Sequence, residues 1–229
     1  CGGSDPVSVN DNGSGFCFSC RTYLPNYSTA EVQQDDDVET EFEIHQRNSK
    51  MNNSSTATFN ELTDRKISLA TAKKYGVRST TRDGKIDKHY YPYYKLNTNE
   101  VCSAKVRDVK TKNFFTSGDT SGVGFFGQTK CTTNRYITVT EGELDAMSVF
   151  EMTGRKWDVV SLRTGSSGAA KEMKEQLEWL ESYGTVVLCF DNDKAGEEAV
   201  DQVKDLFSPN KLKICKLPVK DASDMLVAN

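Results

Sequence analysis

No apolar run in this chain approaches the ~18–20 residues needed to cross a bilayer, and no secretory leader is visible at its polar start. A cytoplasmic protein with no membrane partner is therefore expected. Histidine is limited to His45 and His89 among 229 residues. There is no Walker-type phosphate loop, so no motor of that kind is encoded between Cys1 and Asn229, and no internal repeat is visible. The chain opens on Cys1 without an initiator methionine, which leaves open what precedes it. The seven cysteines are odd in number and scattered in spacing. That argues against a disulfide framework and for a reducing compartment, with some thiols buried and others available to a metal.

The net charge is −4, which taken alone disfavours an anionic partner. Its distribution qualifies this. Residues 31–43 carry seven acids and no Lys or Arg, whereas residues 63–112 carry thirteen Lys or Arg against five acids. A basic segment inside an acidic chain suits phosphate binding on one face, and it equally suits a solvated surface with chance clustering.

Composition divides the chain. Residues 1–26 are rich in Gly, Ser, Asp and Asn, with short apolar spots at Val7, Val9, Phe16 and Phe18. They predict a knuckle of short strands unable to build a core alone. Residues 27–58 are polar and acidic and predict a flexible linker, with a random-coil span of roughly 30 Å. Residues 59–130 predict a small basic α+β subdomain. It holds a helix near Ile67–Tyr75 that stops at Gly76, a strand through the tyrosines of residues 90–94, and a half-exposed strand from Cys102 to Arg107. Residues 131–229 predict an α/β domain. Strands at Tyr136–Thr140, Val159–Leu162, Val186–Phe190 and Leu212–Leu217 alternate with helices at Glu143–Met152, Ala169–Ser182 and Ala195–Leu206. That alternation implies a mostly parallel sheet flanked by helices on both faces.

Such sheets place their chemistry at the carboxyl ends of strands. Glu141-Gly142-Glu143-Leu144-Asp145 follows one strand directly, and Asp191-Asn192-Asp193 follows another. Glu141 and Asp145 lie about one helical turn apart, and Asp191 and Asp193 alternate by two, so each pair can face one crevice. Asp221, beside Lys220, follows the last strand. Mg²⁺ takes hard oxygen ligands and keeps several waters, so a few carboxylates suffice to bind it. Clustered carboxylates repel one another and call for cations. Gly142 and Gly196 leave room for close approach. Either motif alone would also suit an acidic helix start or a polar turn; the two together at matching strand ends point to a metal site. Glu143 is expected to be an exposed helix residue and Asn192 a spacer.

The two acidic motifs closely resemble the Toprim domain, and the run Asp191–Gly196 resembles its primase version. Lys220-Asp221-Ala222-Ser223-Asp224 resembles the primase Lys-Asp-Ala-Asn-Asp/Glu element, with Ser223 in place of Asn. The resemblance implies that Glu141, Asp145, Asp191 and Asp193 handle Mg²⁺ or Mn²⁺, with Asp221 as a further ligand. Upstream, Lys105-Val106-Arg107-Asp108, followed by Lys110 and Lys112, resembles the primase Lys-x-Arg strand. There Lys105, Arg107 and Lys112, together with Lys220, would contact nucleotides or template. Cys1 and the pair Cys17 and Cys20 resemble a primase zinc ribbon whose fourth ligand would be a cysteine upstream of Cys1. Cys102, Cys131, Cys189 and Cys215 read as core or surface thiols.

In sum, the order of zinc ribbon, linker, basic subdomain and Toprim domain resembles the DnaG-type primases, and most of all the primase half of bifunctional phage primase–helicases, whose relatives include Twinkle. The implied activity is synthesis of short RNA primers on single-stranded DNA from ribonucleoside triphosphates. The implied partners are a helicase domain or replicative helicase and a DNA polymerase that receives the primer, in a phage-infected host cell. Two alternatives stand beside it: another Toprim enzyme, a nuclease or topoisomerase, and a non-catalytic single-stranded DNA-binding module.

Overall fold

The computed structural model describes residues 7–9, 15–17, 22–24 and 56–228. The chain divides into two units, Cys1–Ile44 and His45–Asn229. In the first unit, β1 (Val7–Val9), β2 (Gly15–Cys17) and β3 (Thr22–Leu24) pair antiparallel in the order β1-β2-β3. Ser8 lies opposite Phe16, and Phe16 opposite Tyr23. Cys17 ends β2; Cys1 and Cys20, the other expected zinc ligands, lie outside the described residues, as does most of the expected linker.

The first α-helix described in the second unit is α1 (Leu69–Tyr75), which follows the Ser68 cap and ends at Gly76 with φ 75°. An antiparallel meander follows, made of β4 (Arg78–Arg82), β5 (Lys85–Tyr94), β6 (Val101–Asp108) and β7 (Phe114–Gly118), in sequence order. The β4–β5 hairpin was not foreseen, although Asp83-Gly84 signals it: both residues hold positive φ, 54° and 74°, as a two-residue hairpin turn demands. Pro92 sits inside β5 because the last β4 pairing is Arg78 with Tyr90, so its missing N–H forfeits no ladder bond on that side. Ala57 is buried and Thr58 bridges Ser79, so these last residues of the expected linker belong to the folded body.

The α/β half comprises β8 (Tyr136–Thr140), α2 (Glu143–Met152), β9 (Asp158–Ser161), α3 (Ala169–Glu175), α4 (Leu177–Glu181), β10 (Thr185–Cys189), α5 (Lys194–Val203), β11 (Leu212–Ile214) and α6 (Ala222–Ala228). Its four strands are all parallel, in the order β11-β10-β8-β9. The helix expected over Ala169–Ser182 breaks at Gln176, whose side chain accepts a 2.8 Å bond from Gln128.

Two apolar clusters hold this unit. One face of the parallel sheet packs Ile137, Val139, Leu188 and Val186 against Met173, Leu180, Ala199 and Val203 of the helices. The other cluster joins Tyr75, Tyr91, Tyr93 and Phe126 to Met147, Val149 and Phe150 of α2. Phe126 stacks on Tyr75 at 5.3 Å and meets Tyr91 edge-on. Its full burial is worth roughly 1.5–3 kcal/mol. This cluster binds the antiparallel sheet to α2, and α2 carries the first acidic motif.

Candidate active site

Parallel pairing with Thr140 opposite Cys189 brings the carboxyl ends of β8 and β10 side by side. Glu141 leaves the first strand and Asp191 the second, and Glu141 Oε1 accepts from the Asp191 backbone N–H at 3.1 Å. Gly196 permits that approach, since a Cβ there would stand 2.2 Å from the Asp191 carbonyl oxygen and 2.8 Å from Glu141 Oε1. Gly142 serves likewise, with a Cβ position 2.8 Å from Asp145 Oδ2.

Asp193 caps α5 by accepting from the Gly196 N–H at 3.1 Å, so one of its oxygens is committed to the helix start. Asp221 precedes α6 and accepts from the Asp224 N–H at 2.7 Å. That helix lies against α2, and the Ser223 N–H donates to Asp145 Oδ1 at 2.9 Å. Asn192, expected to be a spacer, ties the second motif to the last: its N–H donates to the Lys220 carbonyl at 2.6 Å and its amide to that of Leu217 at 3.4 Å.

Electrostatics record the crowding. Burial pushes the Asp145 carboxyl up to about 7, helped by the charges of Asp221, Asp191 and Glu141 and opposed by the Ser223 bond. Burial likewise raises Asp191 to about 6, with Glu141, Asp221 and Asp193 adding and Lys220 opposing. Asp145 and Asp191 thus feel the charges of neighbouring acids at the carboxyl end of the sheet. Among the described residues no three His, Cys, Asp or Glu side chains close into a metal cage. The acids instead border an open crevice of hard oxygen donors whose repulsion a divalent cation would relieve, and this fits Mg²⁺ or Mn²⁺ with retained water.

Lys105 and Arg107 do share a face of β6, together with Tyr91 and His89 of β5 and Thr116 and Phe114 of β7. Glu143 contradicts its expected exposure. It is 3% accessible. Its Oε1 accepts from the Tyr93 hydroxyl at 2.6 Å and faces Lys105 Nζ at 2.9 Å. The reason is tertiary: the antiparallel sheet docks on α2 and covers that turn. Burial and the Glu143 charge hold the Tyr93 phenol well above its ordinary value, so it remains a donor. Lys105 also donates to the Arg163 carbonyl at 3.1 Å. Arg107 is 9% accessible and its Nε has no partner among the described residues. Lys112 stands exposed in the β6–β7 turn with φ 60°, and Lys220 is exposed beside Asp191.

Beside Lys105 lies a pocket of about 270 Å³, with Tyr93, Thr116, Val123, Arg163 and Lys171 in its walls. Arg163 was not singled out from the sequence, and nothing local marks it. Glu172 at 3.3 Å and Glu175 at 3.0 Å hold its guanidinium. Of the tyrosines in residues 90–94, Tyr90, Tyr91 and Tyr93 are buried packing residues. Cys102, Cys131, Cys189 and Cys215 are free thiols, of which Cys189 is buried.

Residues 138–226, which hold Glu141, Asp145, Asp191, Asp193 and Asp221, match the Toprim-like family. The chain is 32% identical to the DNA helicase/primase of enterobacteria phage T3 over 227 residues, 98% of this chain and 39% of the relative. It thus spans about two fifths of that relative's length. Its structure superposes on the primase fragment of the bacteriophage T7 primase-helicase with a TM-score of 0.69 and 30% identity, covering 100% of this chain and 91% of that one. The chain belongs to the phage Toprim primases. A second solved structure, of bacteriophage T7 lagging-strand DNA polymerase interacting with primase domains of two gp4 subunits bound to an RNA/DNA hybrid and dTTP, matches with a TM-score of 0.67. It is 35% identical and covers 75% of this chain and 86% of that one. The primase likeness therefore extends well beyond the α/β half. Among the described residues no helix is long and apolar enough to cross a membrane.

Proposed function

We propose that this chain is the primer-synthesising part of a phage primase–helicase, joining ribonucleoside triphosphates on a single-stranded DNA template. The observation that carries this reading is the gathering of Glu141, Asp145, Asp191 and Asp221 at the carboxyl end of the parallel sheet, with Lys105 paired to the nearby Glu143, in a chain of the primase family.

Glu141, Asp191 and Asp193 would hold the divalent cation, with Asp145 and Asp221 beside them. When bound, Mg²⁺ or Mn²⁺ supplies positive charge that favours attack by a 3′-hydroxyl on an α-phosphorus and departure of pyrophosphate. Lys220, beside Asp191, and Lys105 offset phosphate charge. Glu143 and Tyr93 position the Lys105 ammonium. Arg107 and Lys112 lie along the same strand and its turn, where they suit contacts with nucleotides or the template backbone. We assign residues 1–26 as a zinc ribbon using Cys1, Cys17, Cys20 and an upstream cysteine, 27–58 as linker, 59–130 as the basic subdomain and 131–229 as the Toprim domain. A helicase domain or replicative helicase and a DNA polymerase receiving the primer complete the expected partners, in the host cytoplasm.

The test is incubation of the zinc-loaded chain with single-stranded DNA, ribonucleotides and Mg²⁺ or Mn²⁺. Short ribo-oligonucleotides are expected and should vanish with Asp191→Asn. A product pattern indifferent to that substitution would sink the assignment. DNA cleavage without nucleotides would favour a Toprim nuclease instead.

A further inference from the structure

Phe114 is 51% accessible, while Tyr91 and Tyr93 on the same sheet face are buried. A single exposed ring is commonplace and by itself means nothing. Its neighbours single it out. Lys105 Nζ lies 4.9 Å and the Arg107 guanidinium 5.8 Å from the ring centroid. Both cations come from β6, so they hold one side of the ring and leave the rest open. Two residues further along β7, on the same face, Thr116 lines the pocket in which Lys105, Arg163 and Lys171 outnumber the one acid, Glu172. An open aromatic surface, flanked by cations and adjoining a basic, hydroxyl-bearing pocket, is the combination that binds a nucleotide: the ring offers a stacking face and the cations take the charge. A protein partner would call for a broader apolar patch, and here the ring's neighbours are cations and threonines.

We propose that Phe114 is the stacking platform for a nucleobase at this site, with the nucleotide's charged part directed to the adjoining basic pocket. This rests on the reading of the crevice as a primer-synthesis centre. The base belongs either to the template strand or to a ribonucleotide, and the chemistry of recognition is shared.

Equilibrium binding with 2-aminopurine as a fluorescent base separates the two sources and needs no turnover. One arm carries the probe in single-stranded DNA, the other as the ribonucleoside triphosphate, each with Mg²⁺ and the whole chain. Wild type is expected to quench one probe. Phe114→Ala should weaken that binding roughly tenfold and abolish the quenching. Phe114→Tyr should retain both and Phe114→Leu should behave as Ala, since it is apolar without a stacking face. Should Ala disturb folding, the Tyr and Leu variants decide alone. The proposal is overturned if wild type quenches neither probe, if Phe114→Ala binds both as wild type does, or if Leu equals Phe. Failure of primer synthesis alongside intact, Phe114-dependent quenching would overturn the enzymatic reading and leave the platform standing.

Discussion

Consider Asp145→Asn in the metal-free protein. In the folded chain the Asp145 carboxyl is raised from 3.8 to about 7, first by burial and then by Asp221, Asp191 and Glu141. A folded pKa above the unfolded one means that the native state holds its proton more tightly. The associated stability is fully present below about pH 4 and is lost as pH rises through about 7. At about 1.4 kcal/mol per pH unit, the penalty at pH 8 is on the order of 4 kcal/mol, and relaxation and water entry reduce it to about 2 kcal/mol. Asparagine removes the charge yet leaves an oxygen to accept the Ser223 N–H. With chelator present, Asp145→Asn should therefore be more stable than wild type at pH 8, by about 5 °C or more in Tm for a body of this size. At pH 4.5, less than a unit above the unfolded value, only about a quarter of that difference should remain. Adding Mg²⁺ at pH 8 should raise the wild-type Tm more than the variant's, because the cation neutralises what the substitution has already removed. Primer synthesis by the variant should fall sharply. Calorimetry at the two pH values, with and without Mg²⁺, decides it. A variant destabilised at pH 8 in chelator, or one whose effect is the same at both pH values, would refute the account of mutual repulsion.

Other consequences can be checked alongside. Burial lowers His89 from 6.5 to about 4, and its Nε2 has no partner among the described residues. The unfolded chain therefore binds the extra proton first, and stability should drop as pH falls from about 6.5 to 4, by on the order of 3 kcal/mol. His89→Gln should flatten that fall in urea titrations. Tyr93→Phe removes the buried 2.6 Å donor to Glu143, which should cost about 1–3 kcal/mol in chemical denaturation. Because Lys105 shares that oxygen, KM for nucleotides should rise more than kcat falls. Gly196→Ala should gain helix propensity of up to about 1 kcal/mol but lose more, since the new methyl would meet the Asp191 carbonyl. Primer synthesis down about 100-fold or more with a lowered Tm is expected, and an active, stabilised variant would contradict the packing described.

Much of the α/β half was legible one residue at a time. The Tyr136–Thr140 strand and the Glu143–Met152 helix coincide with their expected bounds, because alternation, helical spacing and an acidic helix start are all local signals. The placing of Glu141 and Asp191 at the carboxyl ends of strands followed from the strand–helix alternation, whereas the pairing of those two strands with each other came from the tertiary structure. What lay beyond local reading depended on which surfaces meet. Glu143 looked like an exposed helix residue, yet α2 is covered by a second sheet that brings Tyr93 and Lys105 onto it from some 40–50 positions away. Asn192 is a tie to the Lys220 segment, and Arg163 and Phe114 acquire meaning only from neighbours on other strands. The sequence by itself determined the elements, the acidic motifs and their strand ends, because short-range backbone preferences and side-chain periodicity carry that information. Only the tertiary structure decided which acids crowd one another and which cations face them. Burial and Coulomb energy depend on distances in space that the spacing of residues along the chain does not set.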